Sequence, residues 1–169
     1  MNGPLSLFFV QDHRRLDALL RRAVADRQVA ATPYAEFRAG ILRHIGMEER
    51  VLIPAARRAR GGTALPVERL LRLDHGAIAA LLVPPPSPNI IERIAAVLAP
   101  HNETEERADG LYAVCDELLA EQAEALLGTL RGYPAVPLAP HQDGPNVYRH
   151  IEETLAQARR AWAEEMAPR

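Results

Sequence analysis

One pattern occurs twice in this chain, with its parts in the same order each time. Residues 12–20 read DHRRLDALL and residues 74–82 read DHGAIAALL; both fit D-H-x-x-apolar-x-x-L-L. The stretch from 44, HIGMEERVLIPAA, and the stretch from 101, HNETEERADGLYAV, both fit H-x-x-x-E-E-R. Apolar residues recur at spacings of three and four almost throughout, and no segment alternates as a half-buried strand would. A chain built this way is two copies of one helical hairpin packed together. We therefore expect an all-α protein, an up-down-up-down four-helix bundle of two pseudo-repeated hairpins with approximate two-fold symmetry.

The punctuation residues place the helices. Expected spans are about 6 to 28, 33 to 59, 66 to 83 and 88 to 119, with a short helix at about 121 to 131. Thr32–Pro33 and Ser87–Pro88 each read as an N-cap followed by the first helical residue. Gly61–Gly62 ends the second helix and the prolines 84–86 end the third. Pro54 and Pro100 lie inside the second and fourth helices and are expected to bend them near Arg50 and Ala96. The segment GYPAVPLAPHQDGPN reads as a proline-rich connector. A last helix, about 146 to 166, carries Val147, Ile151, Leu155, Ala158 and Trp162 on one stripe. The expected division is a bundle over 1–132 and an extension over 133–169, packed on the bundle or on a second copy in a homodimer.

Composition closes several alternatives. A net charge of −2 leaves no basic footprint for nucleic acid. Apolar runs such as AIAALLV are too short to span a membrane, and the first residues lack the basic start of a signal peptide. One cysteine, Cys115, permits no internal disulfide and suits a cytoplasmic protein; its apolar surroundings read as a small buried thiol.

Residues four apart on a helix point the same way, so His44 with Glu48, and His101 with Glu105, each present an imidazole and a carboxylate to one point. His13 and His75 add an imidazole each from their own helices. A single His-x-x-x-Glu is usually a surface pair worth ~0.3 kcal/mol. Two such pairs at matching places of a repeat are expected to converge. Four imidazoles and two carboxylates in a core are costly unless ions compensate them, and this donor set without thiolate suits iron, manganese or zinc. Asp17, four after His13, could be a seventh ligand, but its repeat counterpart is Ala79, so it reads as solvent-facing or as an acceptor behind the ligands. Asp12 and Asp74 point about 100° away from the ligand face; they read as salt-bridge or capping residues, or as groups orienting a neighbouring helix's histidine. His141 and His150 fall outside the pattern.

The ordered pattern His, His-x-x-x-Glu, His, His-x-x-x-Glu over about residues 5 to 120 resembles the hemerythrin family, in its bacterial HHE cation-binding branch. The resemblance implies that His13, His44, His75 and His101 bind two non-haem iron ions, oxo- or hydroxo-bridged, with Glu48 and Glu105 as bridging carboxylates. Zinc or manganese would be substitutes. It implies a small diatomic ligand, O2 or NO, bound for sensing, storage or scavenging. The alternatives are a di-iron oxidase or peroxidase on the same frame, and a metal-stapled interaction protein. The chain departs from the oxygen carriers at Leu71 and Ala79, where a further histidine would stand. It also departs after His101, where Glu106 occupies the place of a common aspartate and Glu105 is the better match. The extension 133–169 is not needed by the core family.

Overall fold

The computed structural model describes residues 3–24 and 28–167. Among them all regular structure is helical: α1 (Pro4–Ala23), α2 (Ala31–Met47), α3 (Ile53–Ala59), α4 (Glu68–Leu81), α5 (Pro88–Glu106), α6 (Leu111–Leu118), α7 (Ala123–Arg131) and α8 (Pro145–Glu165). These pack as a helical bundle: α1 lies along α2, α4 along α5, and α1 also touches α5. The first helix was expected to reach residue 28, but it ends at Ala23, where Val24 turns out of helical geometry and its amide reaches only to the Arg21 carbonyl; residues 25–27 lie outside the described residues.

Ser87 caps α5 as its sequence announces, accepting from the Ile90 amide at 3.2 Å with Pro88 behind it. Thr32 does not act as the other cap. Helix α2 starts two residues earlier, at Ala31, and Pro33 sits in a first turn whose N–H groups need no intrahelical partner. Pro54 acts more locally than a general bend. It has no N–H for the Arg50 carbonyl, and residues Glu48–Leu52 form a π-helical turn joining α2 to α3. The Ile53 amide reaches back five residues to the Glu48 carbonyl. Helix α5 runs through Pro100.

The expected helix 88–119 is in fact two. Arg107 turns extended (φ −61°, ψ 161°), and the chain folds back sharply before α6 begins at Leu111. Gly110 makes that turn feasible: a Cβ there would lie 2.4 Å from the Thr104 carbonyl oxygen and 2.6 Å from that of Glu105. Once folded back, α6 docks on the start of α1. Asp116 accepts from the Leu5 amide at 2.9 Å and the Ser6 amide at 3.2 Å, and from the Ser6 hydroxyl. A carboxylate here satisfies two of the open donors of the α1 N-terminus and complements its dipole.

The connector is strapped down by arginines from α2. Arg38 donates to the Leu82 and Ala139 carbonyls, and Arg43 to those of Leu130 and Tyr133. The chain is thereby brought round to lay α8 on α4, where Ile151, Leu155, Ala158 and Ala161 are buried. The apolar stripe of the last helix is thus covered by its own bundle.

The apolar core is in two parts. One gathers Leu16, Ile41, Ile78 and Ile94 with Ile151 and Leu155; the other gathers Leu5, Phe9, Met47, Leu71 and Leu111. Helix α1, the α2–α3 pair and α4 pass from one part to the other, and α5 ends, at a buried layer containing His13, His44, Glu48, His75, His101 and Glu105.

Candidate metal centre

The six side chains named from the repeat meet in that layer, and none is more than 5% exposed. They form two clusters, His13–His44–Glu48–Glu105 and Glu48–His75–His101–Glu105, in each of which the candidate ligand atoms lie within 4.8 Å of one another. The carboxylates belong to both. Glu48 turns Oε1 to His44 Nε2 and Oε2 to His75 Nε2, each at 3.2 Å. Glu105 turns Oε2 to His13 Nε2 at 3.4 Å and Oε1 to His101 Nε2 at 3.3 Å. A side chain that presents one oxygen to each of two clusters has the arrangement of a bridging ligand.

Behind each imidazole stands a carboxylate on its Nδ1. The pairs are His13 with Glu106 at 2.6 Å, His44 with Asp12 at 2.9 Å, His75 with Glu49 at 2.8 Å and His101 with Asp74 at 3.3 Å. Donating Nδ1–H to a carboxylate fixes the ring and leaves Nε2 facing inward with its lone pair. The pairing follows the repeat: the aspartate before one histidine holds the second histidine of its own hairpin, and the glutamate after each ligand glutamate holds the first histidine of the other hairpin. Asp12 and Asp74 therefore orient a neighbouring helix's histidine. Asp17 does not lie behind the ligands; it is half exposed and paired with Arg21 at 2.5 Å. His141 and His150 are exposed, away from the layer. Leu71, a place where a further histidine could have joined His75, is fully buried in the apolar core.

Sequence reasoning missed three participants. Glu49 and Glu106 were visible as the second glutamate of each E-E-R but had no assigned part. Tyr112 was hidden by the broken helix. In a continuous helix it would lie seven residues, about 10.5 Å, beyond Glu105. Folded back, its hydroxyl stands 2.5 Å from Glu48 Oε1, 3.1 Å from Glu105 Oε2, 3.1 Å from His13 Nε2 and 3.4 Å from His44 Nε2. Its ring stacks on Phe9, one turn before His13, at 5.0 Å between centroids. Tyr112 is one turn before Asp116, so the contact that caps α1 also aims the phenol at the layer.

The electrostatics are those of a site short of positive charge. Burial opposes charging His44 and His101, yet the neighbouring carboxylates outweigh it and lift each to about 10. Burial acts against Glu48 as well, but His44 and His75 hold it well below the usual carboxylate range. Burial and the charges of Glu105 and Glu48 push the Tyr112 phenol well above its ordinary value. Protons on imidazole and phenol thus provide the compensation that cations would otherwise supply. That compensation is uneven: Glu48 Oε2, His75 Nε2 and Glu105 Oε1, all in the second cluster, are buried without a hydrogen-bond partner. Orphaned inward atoms of imidazole and carboxylate, with every ring held from behind, fit a metal pair.

No helix among the described residues is long and apolar enough to cross a membrane. A search of curated proteins and a search of solved structures returned no match. The family model of the hemerythrin HHE cation-binding domain matches residues 7–108, more than half of the chain and the whole of the layer described above. With the match and the paired His/Glu clusters in agreement, the chain belongs to the hemerythrin HHE cation-binding domain family.

Proposed function

We propose that this protein holds two non-haem iron ions between its two hairpins and binds a small diatomic ligand, O2 or NO, at that centre. The observation that carries the reading is the sharing of Glu48 and Glu105 between two clusters, with orphaned atoms in the second. In this reading His13, His44 and one oxygen of each carboxylate would hold the first ion, and the Tyr112 hydroxyl beside them could serve as a further oxygen ligand. His75, His101 and the other carboxylate oxygens would hold the second, and Leu71 offers no further donor there. The up-down-up-down, two-fold arrangement of the hairpins belongs to the same reading, supported by the matched order of Asp12 and Asp74 and of Glu49 and Glu106 behind the rings.

Iron, when bound, supplies a change of oxidation state and a vacant coordination position. The chain supplies the rest. Four carboxylates hold the rings in one tautomer. Two apolar half-cores exclude water, so that only a small ligand reaches the layer. The Tyr112 phenol keeps a proton available beside Glu48 while the first position is empty.

Anaerobic loading with Fe(II) tests this. We expect about two irons per chain and new visible bands on exposure to O2 or NO. Bands that revert when the gas is removed support carriage or sensing. Continued oxygen consumption with a reductant would favour the oxidase alternative. Iron near zero per chain would end the reading.

A further inference from the structure

Asp12 and Asp74 are counterparts in the repeat, yet each shares its charge with a different partner. Asp12 accepts from Arg15, three residues along its own helix, at 2.8 Å. The residue at that place in the second hairpin is Ala77, which has nothing to give. A group from outside the repeat takes over: Trp162 of α8 donates its indole N–H to both oxygens of Asp74 at 3.1 Å. Trp162 lies beyond the residues that match the family model. The ring held by Asp74, His101, also has the longest of the four imidazole–carboxylate contacts, 3.3 Å against 2.6–2.9 Å for the others.

A carboxylate that accepts from an imidazole N–H makes the ring a stronger donor to a metal, and sharing that carboxylate with a second N–H weakens the effect. Helix α8 is anchored to α4 and pairs with α5 through Arg93 and Glu152 at 2.5 Å, while beside the indole a cleft of about 470 Å³ opens between α8 and α5, walled by Val97, Pro100, Leu155 and Ala158 with Trp162. The indole's position is therefore set by how α8 seats on α4.

We propose that Trp162 is a positioning residue of the metal centre: its N–H draws Asp74 away from His101, so that the C-terminal helix sets the strength of one ligand to the second metal. This rests on the metal-pair reading above. It gives the extension a part in the centre that the matched region alone does not contain.

The test is zinc titration of the full-length metal-free protein against a competing chelator, with wild type, Trp162→Phe and Asp74→Asn. Asp74→Asn should loosen one of two binding steps by about 10–100-fold. Trp162→Phe keeps the ring and removes the N–H; it should tighten that same step and leave the other unchanged. Loosening of both steps, which a merely structural role would give, or no change in either, would overturn the proposal while leaving the metal pair standing. A wild type that takes up no zinc would instead sink the metal pair and this proposal with it. Because Trp162 is the only tryptophan, its single indole N–H resonance gives a second measurement that needs no variant. It should shift on the zinc equivalent that fills the His75–His101 cluster and on no other; a resonance indifferent to both equivalents would also overturn the proposal.

Discussion

The half of the layer built on His13 and His44 and the half built on His75 and His101 come from the same repeat, yet they differ in what stands at their centres. In the first, the Tyr112 hydroxyl reaches both imidazoles and an oxygen of each carboxylate. In the second, three inward atoms make no hydrogen bond and meet their neighbours only as ion pairs at 3.2–3.3 Å. A buried polar atom without a partner costs about 1–3 kcal/mol. The first half is therefore the better satisfied by protons alone, and the second would gain more from cations. A two-fold sequence pattern thus encodes two unequal positions, and the inequality comes from a residue outside the pattern.

The largest effect should come from the groups common to both halves. Glu48→Ala removes an oxygen from each cluster and leaves His44, His75 and Tyr112 without their shared partner. We expect metal content to fall toward zero and the metal-free protein to lose about 3–5 kcal/mol of stability, the usual consequence of removing one member of a buried charged pair. Chelation of wild type should likewise lower the melting temperature; a ligand present at 100 times its Kd contributes about 2.7 kcal/mol. An unchanged melt in verified metal-free protein would contradict a buried site.

Single-histidine variants separate the halves. His101→Ala should empty the second position and leave the first with its tyrosine, as read by metal per chain. His150→Ala should change neither, since His150 is exposed on α8; a reversal of these two results would undo the repeat-based assignment.

Tyr112→Phe sharpens the comparison. Both metals should remain, but a tyrosinate-to-ferric-iron absorption band should vanish. The metal-free protein should lose about 1–3 kcal/mol, more than the loaded protein, because the hydroxyl's bonds matter most when no ion replaces them.

A further effect is on pH dependence. In the metal-free protein, burial acts against charge on His44 and His101, but neighbouring carboxylates raise both from 6.5 to about 10. A raised value means that their stabilisation is complete below 6.5, declines as pH rises and is gone once pH has passed about 10. Glu48 is shifted the other way, so its share is present above 4.5 and is lost as pH falls through its lowered value. Thermal melts of metal-free protein should therefore decline between pH 6.5 and 10. The loaded protein, whose rings carry metal instead of a second proton, should stay nearly flat over that interval.

What could be read from the sequence follows from which interactions are local. The i, i+4 pairs His44–Glu48 and His101–Glu105 need only a helix, and the repeat supplied the reason for them to face each other. Asp12 and Asp74 could be anticipated because they sit one residue before a candidate ligand. Glu49 and Glu106 were marked by the same E-E-R, but their partners lie across the bundle, where spacing along one helix says nothing. Tyr112 required knowing that the chain breaks at Arg107, and that break depends on Gly110 approaching the Thr104 and Glu105 carbonyls in three dimensions. Trp162 was read as part of an apolar stripe, and its N–H found Asp74 only because the connector lays α8 on α4.

Mössbauer spectroscopy of protein loaded with enriched iron tests the account's central claim, two metals in unequal surroundings bridged by Glu48 and Glu105. The account predicts about two irons per chain, giving two quadrupole doublets of equal area, one of which alone changes in Tyr112→Phe. One iron or fewer per chain, or a pair of doublets both indifferent to Tyr112→Phe, would contradict it.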